Sequence, residues 1–156
     1  MPRLVYLAGG MEYARDGRSW REEATDKLKA GGYGSWDPYV EELDIFKSIK
    51  IQEFFKYGNK VKEFTKYRDI MHRLIKHDLG TIKDDADMVL VRFDASTLKG
   101  AGTKAEISVA TLFDKPVHVW LDELSLNEIP SWCLGSFNTV SYTLDDAIKR
   151  LKEYEK

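Results

Sequence analysis

The chain has 156 residues, 43% hydrophobic and 32% charged, which supplies enough apolar material for one domain and does not fit a disordered chain. Its 24 basic residues nearly balance 26 acidic ones, so no polyanion-binding face is indicated and nucleic-acid polymers are not expected as partners. No apolar run approaches the roughly 20 residues of a membrane helix, and the start Met1-Pro2-Arg3-Leu4 lacks a signal-peptide core, so a cytoplasmic protein without a membrane partner is expected.

Leu4-Val5-Tyr6-Leu7-Ala8 reads as a strand buried on both faces, ending in the tight turn Gly9-Gly10. The turn lacks the G-x-G-x-x-G spacing of a dinucleotide site, so NAD or FAD is not expected. Arg15 and Arg18 in the loop that follows read either as solvated charges or as guanidinium contacts to a substrate phosphate. Ser19-Trp20-Arg21-Glu22 has the pattern of a capping box. It opens a helix with the stripe Trp20, Ala24 and Leu28, ended by Gly31-Gly32. A second strand at 33–36 runs into Asp37-Pro38. An aspartate there either faces the crevice of an open α/β sheet or forms the turn before proline.

Residues 41–58 carry a mixed helical pattern, with Phe46, Ile49, Phe54 and Phe55 among charges, broken at Gly58-Asn59. The next helix is clearer: Phe64, Tyr67, Met71, Leu74, Ile75 and Ile82 make one stripe, and Asp78 falls on it. A carboxylate on an inward face must find partners or be neutralised. Asp84, Asp85 and Asp87 mark a solvated turn into a third strand, Met88–Phe93, and a connection through Ser96, Thr97 and Lys99 follows.

Gly100-Ala101-Gly102-Thr103-Lys104-Ala105-Glu106 then places a glycine turn ahead of a helix. Glycines there allow close backbone approach to a ligand or a positive φ, and a helix start favours anions. If the helix begins at Thr103, then Glu106, Val109, Ala110 and Phe113 share one face. Glu106 has two readings: the far end of a Thr103-x-x-Glu106 capping box, or an inward-facing reactive carboxylate. After Lys115-Pro116 come a fourth strand, Val117–Leu121, an irregular loop at 122–138, an edge strand at 139–142, and a final helix capped by Thr143 and running to Tyr154.

The alternation predicts a single α/β domain over 1–156. It is an open, mainly parallel sheet of about five strands with helices on both faces, Rossmann- or flavodoxin-like. In that architecture Gly9, Gly10, Asp37, Ser96, Gly100, Gly102, Thr103 and Glu106 gather at the carboxyl edge of the sheet. One cysteine, Cys133, and three histidines without ligand spacing point to no metal and no cofactor.

With these residues placed, the chain resembles the nucleoside 2-deoxyribosyltransferase superfamily over most of its length. The matching pieces are Val5-Tyr6-Leu7-Ala8-Gly9-Gly10, Trp36-Asp37-Pro38, His77-Asp78-Leu79-Gly80-Thr81-Ile82-Lys83 before Asp87-Met88-Val89-Leu90, and Gly102-x-x-x-Glu106-Ile107. To these are added Ala110 with Lys115-Pro116-Val117, and Ser131-Trp132. The resemblance implies a parallel α/β enzyme, usually a homo-oligomer. It cleaves the N-glycosidic bond of 2'-deoxynucleosides and passes the deoxyribosyl group to another free nucleobase. By the same resemblance Glu106 is the nucleophile, Asp78 the partner carboxylate and Tyr6 the residue that orients the glutamate. The helix start and the Tyr6 hydroxyl are expected to hold the Glu106 pKa down, and Asp78 to act as the acid.

Gly100 departs from the pattern, since relatives place an aspartate that contacts the base, or a serine that holds a 5'-phosphate, at that position. Hydrolysis of a deoxynucleoside 5'-monophosphate therefore stays open, as do a phosphoribohydrolase of the cytokinin-activating type and a non-catalytic nucleotide-binding module. In the family a late loop often completes the pocket of a neighbouring subunit, which assigns Asn127, Trp132 and Asn138 either to that role or to simple packing.

Overall fold

In the computed structural model, which describes residues 1–154, there are five strands: β1 (Leu4–Gly9), β2 (Gly34–Trp36), β3 (Met88–Phe93), β4 (Val117–Leu121) and β5 (Thr139–Ser141). They form one sheet in the order β2-β1-β3-β4-β5 with every pair parallel. The 2-1-3-4-5 order is the flavodoxin-like one, and strand order reverses between β1 and β3.

The side-chain period of two sorts each strand between two layers. Val5 and Leu7 of β1, with Met88 and Leu90 of β3, pack under α1 (Ser19–Ala30) and α8 (Leu144–Tyr154) through Ala24, Leu28, Ala147 and Leu151. Tyr6, Ala8, Val89, Val91 and Phe93 point the other way. They meet Ile82 of α4 (Phe64–Asp84) and Ile107 and Ala110 of α6 (Gly102–Leu112). Burial on both faces explains why the strands read as continuous apolar runs. The alternation also puts Tyr6 on the layer whose helices carry Asp78 and Glu106.

A third, smaller apolar cluster joins Tyr39, Phe46 and Ile51 to Ile70 of α4. It is built from α2 (Ile45–Ser48) and α3 (Ile51–Tyr57). The expected helical region at 41–58 is thus two short helices, separated where Ile49 turns extended at φ −117°, ψ 113°. With 21 residues, α4 is roughly 31 Å long, longer than a six-residue strand, so its N-terminal half overhangs the carboxyl edge of the sheet. That overhang leaves Phe64 and Ile75 exposed, although the periodicity had put them on a buried stripe.

Other local expectations change. Ser19 does not cap α1; the Asp16 carboxylate accepts the N–H groups of Arg18 and Ser19, both at 3.0 Å, one turn earlier. Gly32, at φ 85°, follows that helix as anticipated. Asp84 ends α4 instead of lying in the turn, and Asp87 accepts the Leu4 N–H at 2.7 Å, which pins the start of β1. The connection after β3 contains α5 (Ala95–Lys99), capped by Asp94, and the late loop contains a 3-10 turn at Leu126–Glu128 and α7 (Ser131–Leu134). Thr143 accepts the Asp146 N–H at 3.1 Å and caps α8 as its sequence indicates.

Candidate active site

The ends of β1 and β3 diverge at the switch in strand order, and a cleft of about 280 Å³ lies over them. Its floor is small-residue backbone: Gly9, Gly10, Ser96, Gly100, Gly102 and Thr103. At Gly10 a Cβ would overlap the Ser96 hydroxyl and stand 3.0 Å from the Ser96 Cβ, so the two turns touch there because one of them has no side chain. Gly102 opens onto free space. Gly100 is extended at φ −83°, so this turn uses glycine for room and not for a left-handed backbone.

The opposite wall is apolar and comes from the overhanging layer: Met11, Phe55, Met71, Leu74, Ile75 and Leu79. Chain order gave no sign that the 41–58 region would reach this cleft. Phe55 does so because α3 packs against α4 beside Leu74.

Two carboxyls face each other across the cleft from separate helices, Asp78 on α4 and Glu106 on α6. Glu106 is only 9% exposed. The Thr103–Glu106 capping box is not formed: α6 starts at Gly102 with Ala101 as N-cap and no side-chain cap bond. Thr103 is therefore already inside the helix, and the glutamate side chain is released toward the cleft.

The expected low Glu106 pKa is reversed. Burial first, and the nearby Asp78 second, push it up to about 8, against opposing effects of Tyr6 and Arg21. Glu106 sits in the second turn of α6, beyond the unpaired N–H groups of the helix start, so the dipole does not compensate. Burial likewise pushes Asp78 up to about 7, with Arg21 opposing. The Asp78 carboxylate thus disfavours ionisation of Glu106, and burial disfavours ionisation of both.

Tyr6 lies beneath the cleft rather than in its lining. Its hydroxyl acts on Glu106 strongly enough to lower that carboxyl's pKa, yet no acceptor meets hydrogen-bond geometry around it. The phenol is thus a buried donor facing the carboxylate without a formed bond. Its ring stacks on Trp36 at 5.0 Å, and Trp36 packs on His77 at 5.3 Å. His77 Nδ1 stands 3.1 Å from Asp78 Oδ1.

Asp37 is kept out of the cleft. Its carboxylate accepts the Tyr39 N–H at 2.9 Å, as a turn former does, and lies 4.0 Å from Arg21 Nε. Arg21 is the residue that sequence reasoning missed. Fully buried, it donates to the carbonyls of Leu7, Gly9 and Gly17, so one guanidinium fixes the whole β1–α1 turn. Among the described residues it is also the only cation in the cleft lining. The signal was present: Arg21, Ala24 and Leu28 are spaced i, i+3, i+7, a charge on an apolar face, as at Asp78.

The late-loop residues do not reach the cleft. Asn138 accepts the Val117 N–H at 2.8 Å and donates to the Tyr154 hydroxyl at 3.2 Å, while Trp132, 79% exposed, donates to Ser108 on the outside of α6.

The chain matches no protein-family model and no curated protein. Among solved structures it is similar to a 2-deoxyribosyltransferase from the psychrotolerant bacterium Bacillus psychrosaccharolyticus, at a TM-score of 0.59 and 18% identity. The match covers 92% of this chain and 88% of that one. At that identity the likeness is one of architecture, and the chain has a nucleoside 2-deoxyribosyltransferase-like fold.

Proposed function

We propose that the chain opens the N-glycosidic bond of 2'-deoxynucleosides at the Glu106–Asp78 pair and passes the deoxyribosyl group to a second nucleobase. The observation that carries this reading is the pair itself: a buried Glu106 and a partly buried Asp78 on different helices, facing one cleft, with pKa values raised to about 8 and about 7. Sharing one proton near neutral pH, they offer a carboxylate and an acid together, which glycosyl transfer with retention requires.

With Glu106 raised to about 8 and Asp78 to about 7, the proton of the pair rests mainly on Glu106; the reactive arrangement is the less populated one, with the proton on Asp78 and the Tyr6 hydroxyl donating to the Glu106 carboxylate. Glu106 forms a bond to C1' as the C1'–N bond breaks, and Asp78 gives its proton to the departing nitrogen. The second base reverses the sequence: its nitrogen attacks C1', the C1'–Oε bond breaks, and the N–H proton returns to Asp78.

The groups around the cleft favour a nucleoside over a 5'-monophosphate. Among the described residues one guanidinium lines it, and that one is occupied by three backbone carbonyls. Arg18 lies over the Tyr39 ring and Lys99 over the Tyr13 ring, neither lines the cleft, and Lys60 is paired with Glu12 at 3.3 Å. A phosphate dianion there would meet carboxyls and no uncommitted cation of the lining.

The test is incubation of the protein with a deoxynucleoside and a different free base. A new nucleoside is the expected product. Free deoxyribose without a new nucleoside means hydrolysis, and base release from deoxynucleoside 5'-monophosphates alone overturns the substrate assignment. Glu106→Gln should abolish base release; unchanged release overturns the catalytic assignment of Glu106, and no release by the wild type from any deoxynucleoside or deoxynucleotide leaves a nucleotide-binding module.

A further inference from the structure

The two carboxyls differ in how they are held. Glu106 is faced by the Tyr6 hydroxyl, whereas Asp78 has a single hydrogen-bond partner among the described residues, the imidazole of the residue before it. His77 projects sideways from α4, where its ring packs on Trp36 at 5.3 Å. Trp36 is in turn stacked on Tyr6 at 5.0 Å with planes 14° apart, and β1 and β2 set Tyr6 and Trp36 in register. The ring is therefore held from one side by an aromatic that the sheet itself positions, and its Nδ1 is aimed at Asp78 Oδ1 at 3.1 Å. The Asp78 side chain, 15% exposed, lines the cleft, whereas that of His77, 32% exposed, lies outside the lining.

We propose that His77 is the positioning residue of Asp78: its Nδ1 holds one carboxyl oxygen in place through both protonation states of the acid and leaves the other oxygen free to exchange a proton in the cleft. The inference rests on the role given to Asp78 in the proposed function. The tautomer with the proton on Nδ1 is suited to this. When Asp78 is ionised, Nδ1–H donates to Oδ1; when the acid carries its proton on Oδ2, Oδ1 is still an acceptor and Nδ1–H still donates to it. The first contact is the stronger because it is charge-assisted, so the imidazole also favours the ionised acid and eases proton release to the departing base.

The groups that bear on Asp78 are few and sit on four elements: His77 on α4, Glu106 on α6, Tyr6 on β1 and Arg21 on α1. The Asp78 carboxylate disfavours ionisation of Glu106 and of Tyr6, and Arg21 attracts it. His77 is the one of the four that is in hydrogen-bond contact with it and can be replaced without opening the buried core.

Two variants separate the ring from its nitrogen. His77→Phe keeps an aromatic against Trp36 and removes the hydrogen bond; His77→Asn places an amide, itself a donor or an acceptor, near the position of Nδ1. For base release from a deoxynucleoside, His77→Phe is expected to lower kcat by about 10-fold or more with KM changed by less than about 3-fold, and His77→Asn to recover most of the loss. The Asp78 carboxyl is followed independently of turnover by 13C NMR of aspartate-labelled protein, with Asp78→Asn assigning the resonance. Its midpoint, near 7 in the wild type, should rise by about one pH unit in His77→Phe and return in His77→Asn. A midpoint unmoved in His77→Phe, or Asn and Phe variants equally impaired, overturns the assignment. If the wild type releases no base from any deoxynucleoside, the proposed function fails, and the carboxyl titration still decides the role of His77.

Discussion

Replacing the buried glutamate by its amide should make the protein more stable, and by an amount that depends on pH. Glu106 has a folded pKa of about 8 against an ordinary 4.5. A carboxyl whose folded pKa is raised contributes full stability below the unfolded value and loses it as pH rises through the folded one. At pH 7 the window already crossed runs from 4.5 to 7, which at about 1.4 kcal/mol per unit is an upper bound of about 3 kcal/mol. Glutamine has nearly the same shape and carries no charge to desolvate, so Glu106→Gln should recover about 1–3 kcal/mol at pH 7. For a chain of this length that is a rise in Tm of ~3–10 °C. At pH 5 the same bookkeeping leaves under about 1 kcal/mol. The measurement is paired thermal unfolding of wild type and variant, followed by circular dichroism at pH 5 and pH 7.5. A gain of equal size at both values, or a loss at pH 7.5, refutes the reasoning, because either would mean that the carboxylate is not held against its own ionisation.

Two further outcomes test the frame around the site. His118 is fully buried, its Nδ1 is 2.8 Å from the Thr139 hydroxyl, and burial lowers its pKa to about 4. Because the unfolded ring takes a proton first, stability should fall as pH drops from 6.5 towards 4 by up to about 3 kcal/mol; His118→Gln should flatten that part of the wild-type profile in urea unfolding. Arg21→Met removes the donor to three carbonyls and strands Asp37, so it should destabilise by about 3–5 kcal/mol, read as a lower urea midpoint, whereas substitution of the exposed Arg68 should leave the midpoint within about 0.5 kcal/mol.

Much of this architecture was legible in the sequence because it rests on periodicity. Apolar runs bounded by glycine and polar residues gave five parallel strands, and the 3.6 period put Asp78 on the cleft side of α4. What failed was chemistry that local spacing cannot decide. Thr103 and Glu106 fit a capping box, but the helix starts one residue earlier, at Gly102, and the depth of burial of the glutamate depends on elements distant in sequence. The same distance hid the pKa direction, since a dipole is visible in a sequence and desolvation is not. The break at Ile49 has no glycine or proline to announce it. Arg21 obeys the same spacing rule as Asp78, but its place in the first turn of a helix, where charges are ordinary, masks that signal.

The contact between Gly10 and Ser96 divides the cleft into parts that can and cannot change. One turn fills the space that the other leaves, so Gly10 admits no side chain without displacing Ser96. The facing wall belongs to α3 and α4, whose methionine, leucine and isoleucine side chains exchange for one another at little expense in stability. If the proposed function holds, a change of substrate preference is therefore expected from substitutions at Phe55, Met71, Leu74 and Ile75, while Gly10 and the two carboxyls tolerate no exchange.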